Sequence, residues 1–304
     1  MSLVIAKIID GKIQIESDTK ISGEHVVRNN PINGRLKALI LAHNLVVCYA
    51  GDIALAEDAY NFFVEKAKTK IDWQEYINYL IEISKTEQVD FILTGYSTNP
   101  FILKIKNGTI EESKTAWIGD YKAFKEFQEH FVSNGKDENL SERFTNSFNL
   151  VVKNQLNPTV GEFHISVKAN LDDFKLPDKT VPVFQYKIKS SLTLGRSKTV
   201  NIKKKGVAEP IPSGNAEDGT YSISYFTNFT QERSGIGMYF EFGGFGIFLC
   251  PGNLLTNKKY VTEDAQEFVN LVFKETGIEL RGMQSLKDTI GFKYIGPENE
   301  PNKT

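Results

Sequence analysis

The stretch LVIAKIIDGKIQIESD, Leu3 to Asp18, constrains the fold most strongly. Leu3 to Ile9 is a strand-like apolar run, and Lys12 to Asp18 alternates Ile13 and Ile15 against Gln14 and Glu16. Between them, Asp10-Gly11 is a hairpin turn signal, because both residue types accept the left-handed backbone that a tight two-residue turn requires. Turn geometry sets the register. A strict two-residue turn places Asp18 opposite Leu3, whereas a turn with one bulged residue places it opposite Ser2. Either way Asp18 returns to the start of the first strand. Ser2 stands at the tip of that strand, where most chains carry a loose tail.

Further along, strand and helix patterns alternate in blocks. Leu36 to Tyr49 reads as a second apolar hairpin with His43-Asn44 as its turn. Ala54 to Lys68 is helical by its Ala59, Phe62, Phe63 and Ala67 spacing, and Asp72 caps a second helix, Trp73 to Ile83. A third hairpin, Phe91 to Gly95 and Phe101 to Ile105, leads into an Asn107-Gly108 turn. Two helices follow, Tyr121 to Val132 with Phe124, Phe127 and Phe131 on one face, and Leu140 to Gln155. Phe163 to Ala169 and Phe184 to Lys189 are expected strands. Strand blocks flanking two helix pairs imply an α+β fold, with sheets packed face to face and helices outside, a four-layer αββα sandwich. Runs such as LVVCYAG lose clean alternation, as strands covered on both faces do.

The texture changes near Leu192. Gly206 to Gly219 is rich in Pro, Gly and acids and reads as a loop or lid. Tyr221 to Phe229 and Gly235 to Leu249 look like strands, the latter broken by Gly243-Gly244 and Gly246. Thr262 is expected to cap a last helix running through Glu275, with Glu263 and Asp264 in its first turn and Gly277 ending it. The expected division is 1–191 as one domain, 192–296 as a mostly β extension or small domain with one helix, and 297–304 as a disordered tail.

Composition narrows the function classes. A net charge of −2 offers no electrostatic footprint for nucleic acid, and the short run Lys203-Lys204-Lys205 reads as a solvated loop. No stretch approaches the ~20 continuous apolar residues of a membrane helix, and the alternating start is not a signal peptide. The 2 cysteines, Cys48 and Cys250, sit in apolar strand contexts, as buried thiols do, so a reducing cytoplasm is the simplest location. His25, His43, His130 and His164 lack metal-ligand spacing. FGGFG, Phe242 to Gly246, lacks the downstream Lys-Ser/Thr of a phosphate loop. No metal or organic cofactor is expected.

In order and spacing these pieces resemble the N-terminal-nucleophile hydrolases, proteasome β-type subunits and their bacterial relatives most of all. The resemblance rests on Ser2 opening a strand, an aspartate ending the second in IESDTKISG, a basic residue on the third in NGRLKAL, CYAGD running into a helix, WIGD before the third helix, and NPTVGEFHISV as a return strand. It spans roughly residues 2 to 190 and leaves the last third without a counterpart.

The resemblance implies a peptidase in which Ser2, freed by removal of Met1, is the nucleophile and its own α-amine, with a pKa near about 7.7–8.0, is the base. It places Asp18 as the orienting carboxylate and either Arg35 or Lys37 as the cation. Arg35 fits the pattern, and Lys37 fits the chemistry, because an arginine stays protonated and binds as a planar fork. Cys48 stands where a glycine commonly donates the oxyanion-hole N–H, a role that backbone can keep. Other positions depart from the family. Ser2 replaces threonine, Asp120 replaces serine, Asn157 and Val160 replace aspartate and serine, and Glu162 replaces glycine. These departures motivate an alternative, a catalytically inactive proteasome-like scaffold or binding protein. A small-molecule amidase is a third reading. The implied partners are a peptide or protein substrate and further copies of the chain in a homo-oligomeric ring, with Leu192 to Thr304 as an added lid, pore wall or assembly surface.

Overall fold

A computed structural model describes residues 2–21, 34–67, 72–133, 139–154, 157–161, 163–170, 175–176, 179–180, 183–188, 200–204, 207–211, 223–227, 235–240, 245–249, 258–285 and 292–296. They form an α+β protein of antiparallel sheets and five helices. Its elements divide into two compact units.

The first unit begins with strands β1 (Leu3–Ile9), β2 (Lys12–Asp18), β3 (Ala38–Ala42) and β4 (Leu45–Gly51), then helices α1 (Ile53–Ala67) and α2 (Trp73–Ser84). Strands β5 (Val89–Tyr96), β6 (Pro100–Lys106), β7 (Thr109–Glu112) and β8 (Thr115–Gly119) follow, then α3 (Tyr121–Ser133) and α4 (Leu140–Lys153). It closes with β9 (His164–Asn170), the short pair β10 (Lys175–Leu176) and β11 (Lys179–Thr180), and β12 (Val183–Ile188). One five-stranded sheet has the order β12-β9-β2-β1-β8 and another the order β3-β4-β5-β6-β7.

Capping explains where helices begin. The Asp72 side chain accepts the Gln74 N–H at the start of α2, and Asn139 accepts the Ser141 N–H at the start of α4. Helical spacing sends Phe127 of α3 and Phe144, Phe148 and Val151 of α4 into one apolar cluster with Leu3, Ile5 and Ile9 of β1. Burying one such side chain is worth about 1.5–3 kcal/mol, so this cluster anchors the first strand beneath the helix pair. On the other sheet, α1 and α2 lock together through aromatic side chains, with the Phe62 and Tyr79 rings stacked at 4.0 Å. The far faces of the two sheets meet, β1 and β8 lying against β4, β5 and β6.

The second unit holds a hairpin, β13 (Val200–Lys204) with β14 (Val207–Ile211), then β15 (Ile223–Thr227), β16 (Ile236–Phe240), β17 (Phe245–Leu249), β18 (Lys258–Val261), α5 (Ala265–Thr276), β19 (Arg281–Ser285) and β20 (Phe292–Ile295). Its six-stranded sheet runs β18-β17-β16-β15-β19-β20. The Phe268 ring of α5 fills the space over Gly237 and Gly246 and packs with Tyr239 and Phe248.

Several expectations change. The expected loop holds strand in part: Lys203 and Lys204 lie on β13 and Val207–Ile211 forms β14, because two short runs carrying Val200, Ile202, Val207 and Ile211 pair antiparallel. The cap of α5 is Asp264, whose carboxylate accepts the Glu267 N–H; Thr262 lies outside the helix. Gly277 ends it with a left-handed φ of 69°. Arg35 and Lys37 precede the third strand, which starts at Ala38. Cys250, His25, Glu162 and 297–304 lie outside the described residues. Among the described residues, no helix is long and apolar enough to cross a membrane.

Candidate active site

The first hairpin sets the geometry of the site. Its register runs from Val4 opposite Ser17 to Ile9 opposite Lys12, so the turn is a strict two-residue turn. Asp10 and Gly11 take φ of 50° and 73°, both left-handed, which suits a type I′ turn. Continuing that register brings Asp18 to Leu3, whose N–H donates to Asp18 Oδ1 at 3.0 Å. The carboxylate of Asp18 therefore lies one residue from Ser2, in backbone contact with the strand that Ser2 opens.

Asp18 is fully buried, and unpaired it would be prohibitively costly there. Lys37 supplies the countercharge. Its Nζ reaches both Asp18 oxygens at 2.9 Å and the Lys20 carbonyl at 2.7 Å, and its side chain is only 4% exposed. Oδ2 also accepts the N–H groups of Lys20 and Gly161, at 3.0 and 3.3 Å. A buried ion pair survives its desolvation cost only when such additional bonds complete it, and here three backbone N–H groups do so.

Arg35 points elsewhere. Its Nη1 pairs with Glu57 of α1, while its backbone N–H binds the Thr19 carbonyl at 2.8 Å. The two basic residues left open by the sequence thus separate: Lys37 meets Asp18, and Arg35 meets Glu57. Both border a cavity of about 410 Å³, together with Ser2, Lys20, Tyr49 and Gly51.

Ser2 is held from the other side. It is 6% exposed, and its carbonyl accepts the Asp120 N–H at 2.7 Å where β1 pairs with β8. That approach requires glycine at 119. A Cβ there would lie 1.9 Å from the Ser2 oxygen, and φ is 103°, which L side chains rarely adopt. The Asp120 side chain turns to α3, accepting from Lys122 and Ala123 N–H at 2.8 and 3.0 Å, and from the Thr159 hydroxyl at 2.8 Å. Partial burial pushes its carboxyl up, but these hydrogen bonds prevail and hold it below the usual carboxylate range.

The NPTVGE segment is held by its own turn. Asn157 Oδ1 accepts the N–H groups of Thr159 and Val160, at 3.1 and 3.2 Å, and the Asn157 carbonyl accepts from Lys20 Nζ at 3.2 Å. Val160 joins the apolar cluster beneath β1. Cys48 is fully buried on β4 opposite Ala38 and Ile92, and burial pushes its thiol up. Its strand neighbours Tyr49 and Gly51 border the cavity, and Cys48 is not among the lining residues.

Sequence reasoning missed Tyr49, Lys20, Gly119 and Thr159. The signal for Gly119 was present, since a glycine ending a strand marks close backbone approach. Among the described residues, no cluster of three or more His, Cys, Asp or Glu is placed to hold a metal. No protein-family model matches the chain, and no curated protein matches it.

Proposed function

We propose that the chain is an N-terminal-nucleophile amide hydrolase of proteasome-like type, acting on peptide bonds through Ser2. The observation that carries this reading is the buried Asp18–Lys37 pair bonded to the strand that Ser2 opens, with Ser2 and Lys37 bordering one cavity. The two facing five-stranded sheets, with α1–α2 against one and α3–α4 against the other, support the four-layer αββα arrangement that this chemistry would use.

With residue 1 removed, the Ser2 α-amine takes the proton of its own hydroxyl as Oγ attacks the substrate carbonyl carbon. The tetrahedral intermediate collapses when the amine's new proton passes to the leaving nitrogen and the C–N bond breaks, leaving an acyl ester on Ser2. Water, deprotonated by the same amine, attacks that ester, and Ser2 regains its hydroxyl proton. Neither Asp18 nor Lys37 transfers a proton in this scheme. Asp18 holds Lys37 in place, the pair orients the terminal residue, and the Lys37 cation favours the neutral, basic form of its amine. Working in the cytoplasm and in a homo-oligomer belongs to the same reading, and native mass spectrometry tests the assembly.

A second reading, a non-catalytic scaffold on the same fold, is favoured by one observation: Asp120, Asn157 and Val160 are fully engaged in capping α3, closing a turn and filling the core. Hydrolysis of a fluorogenic peptide library by the mature protein, lost in Ser2→Ala, supports the peptidase. An active Ser2→Ala variant sinks it. A folded protein that retains Met1 and hydrolyses nothing supports the scaffold.

A further inference from the structure

Resting on Ser2 as the nucleophile, we infer that Asp120 is a positioning residue for its α-amine: the carboxylate opposes Lys37, favours the protonated amine, and so sets the pH at which the site begins to hydrolyse.

Backbone joins Asp120 to Ser2. The Asp120 N–H donates to the Ser2 carbonyl at 2.7 Å, an approach that glycine at 119 permits. Through that bond, standard bond lengths put the Asp120 carboxyl carbon within about 10 Å of the Ser2 nitrogen. Both residues are enclosed, Ser2 at 6% and Asp120 at 8% exposure, so solvent screens the gap poorly. At that separation and an effective dielectric of about 20–40, two unit charges shift each other's titration by about half a unit to one unit.

The two carboxylates near Ser2 differ in what neutralises them. Asp18 is matched by Lys37 where it stands. Asp120 accepts from the N–H groups of Lys122 and Ala123 and from the Thr159 hydroxyl, all neutral donors. Among the described residues, no cationic side chain pairs with it. Partial burial pushes its carboxyl up, the bonds from Ala123, Thr159 and Lys122 hold it low, and the positive charge of the chain's amino terminus adds to that lowering. The attraction is mutual: an amine that favours the carboxylate is itself held protonated by it. With residue 1 removed, that positive charge sits on Ser2.

The other charges around the strand tip act differently. Lys37, and Lys20 with its Nζ on the Asn157 carbonyl at 3.2 Å, are cations that favour the neutral amine. Lys122 of α3 is exposed, where solvent screens it, and Glu126 of α3 turns to Asn154 and His130. Only the neutral amine can take the Ser2 hydroxyl proton. Each nearby cation therefore lowers, and Asp120 raises, the pH at which the base forms. A serine at 120, which the family resemblance would place there, bonds without charge and leaves the amine to the cations.

The test reads the amine apart from the hydrolysis, so that failure of the nucleophile and failure of Asp120 give different results. The full chain is released from a fusion so that it begins at Ser2, as wild type, Asp120→Asn, Asp120→Ser and Asp120→Glu. Asn and Ser both keep a good helix cap, and Glu keeps the charge. Competitive acetylation from about pH 5 to about pH 10, read by peptide mass mapping, titrates the Ser2 amine whether or not any peptide is cleaved. The kcat/KM for a fluorogenic peptide over the same range titrates the base in action. The expected midpoint is about half a unit lower in Asp120→Asn and Asp120→Ser by both readouts, with Asp120→Glu close to wild type. Below the midpoint, kcat/KM then rises about threefold, whereas a purely structural loss lowers it at every pH and leaves the midpoint in place. If nothing is hydrolysed but the acetylation midpoint falls in both uncharged variants, Ser2 fails as the nucleophile and the role of Asp120 stands. An amine midpoint unmoved or raised in either uncharged variant overturns the inference.

Discussion

Two buried carboxylates stand on β2 only two positions apart, and their surroundings differ. Asp18 meets Lys37 at the end of the strand, beside Ser2, with Lys37 bordering the cavity. Glu16 meets His164 of β9 at 2.7 Å, both fully buried, with the Phe148 ring of α4 centred 4.9 Å from the imidazole. Glu16 also accepts from Gln14, Thr145 and Ser166, so its carboxylate is enclosed by the hydroxyls and amide of its neighbours. Burial pushes its carboxyl up, but the charge of His164 and these bonds overcome it and hold Glu16 below its ordinary value of 4.5. The same strand thus carries one pair completed largely by backbone N–H groups next to a cavity, and one completed by side chains beneath a helix. The first arrangement leaves charge at the wall of a cavity. The second fixes β2 to β9 and α4.

The comparison breaks most visibly at Lys37. Lys37→Met should reduce peptide hydrolysis by about 10²–10³-fold, the scale for losing one preorganised electrostatic group. It should also lower stability by about 3–5 kcal/mol, because Asp18 is left charged and buried. Steady-state kinetics and urea unfolding read the two effects separately. Glu16→Gln should touch stability alone, lowering it by up to about 3–5 kcal/mol while kcat per folded molecule stays within a few fold. A large kcat loss in a fully folded Glu16→Gln protein would erase the distinction between the pairs.

Acid sharpens the same contrast. A carboxyl lowered on folding stabilises fully above its ordinary value, and that contribution disappears as pH falls through the folded value. The stability gap between wild type and Glu16→Gln should therefore be complete at pH 7 and shrink as pH drops below 4.5, a trend that denaturant titrations at several pH values measure. Two smaller changes probe the strand tip alone. Gly119→Ala should cost about 1–3 kcal/mol by forcing a left-handed backbone and displacing the Ser2 carbonyl, with activity falling alongside. Asp120→Ala should cost about 0.5–2 kcal/mol by uncapping α3, detected as a lower Tm.

The legible parts of the molecule were those fixed by neighbours in sequence. Asp10-Gly11, Asp72 and the α3 aromatic stripe each announce a turn, a cap or a buried face within a few residues. The return of Asp18 to the strand start followed from the turn, and its exact partner from the turn type. Arg35 and Lys37 could not be told apart, because the segment carrying them precedes β3 and follows no strand alternation. Glu16 with His164 joins residues 148 apart, a pairing that depends on β9 returning beside β2. Thr262 and Asp264 are both good caps, and the local backbone decides between them. Tyr49 was hidden by its own strand, since LVVCYAG is buried nearly throughout and gives no sign of which residue faces a cavity.

The central claim is that Ser2 reacts because Asp18 and Lys37 hold it at the strand tip. Intact-mass spectrometry and peptide mapping, before and after treatment with an activated peptidyl ester, test it most directly. The account expects a mature chain beginning at Ser2 that gains a single acyl group on Ser2, and a folded Lys37→Met protein that gains far less. A chain that retains Met1, or an acyl group mapped to any other residue, contradicts it.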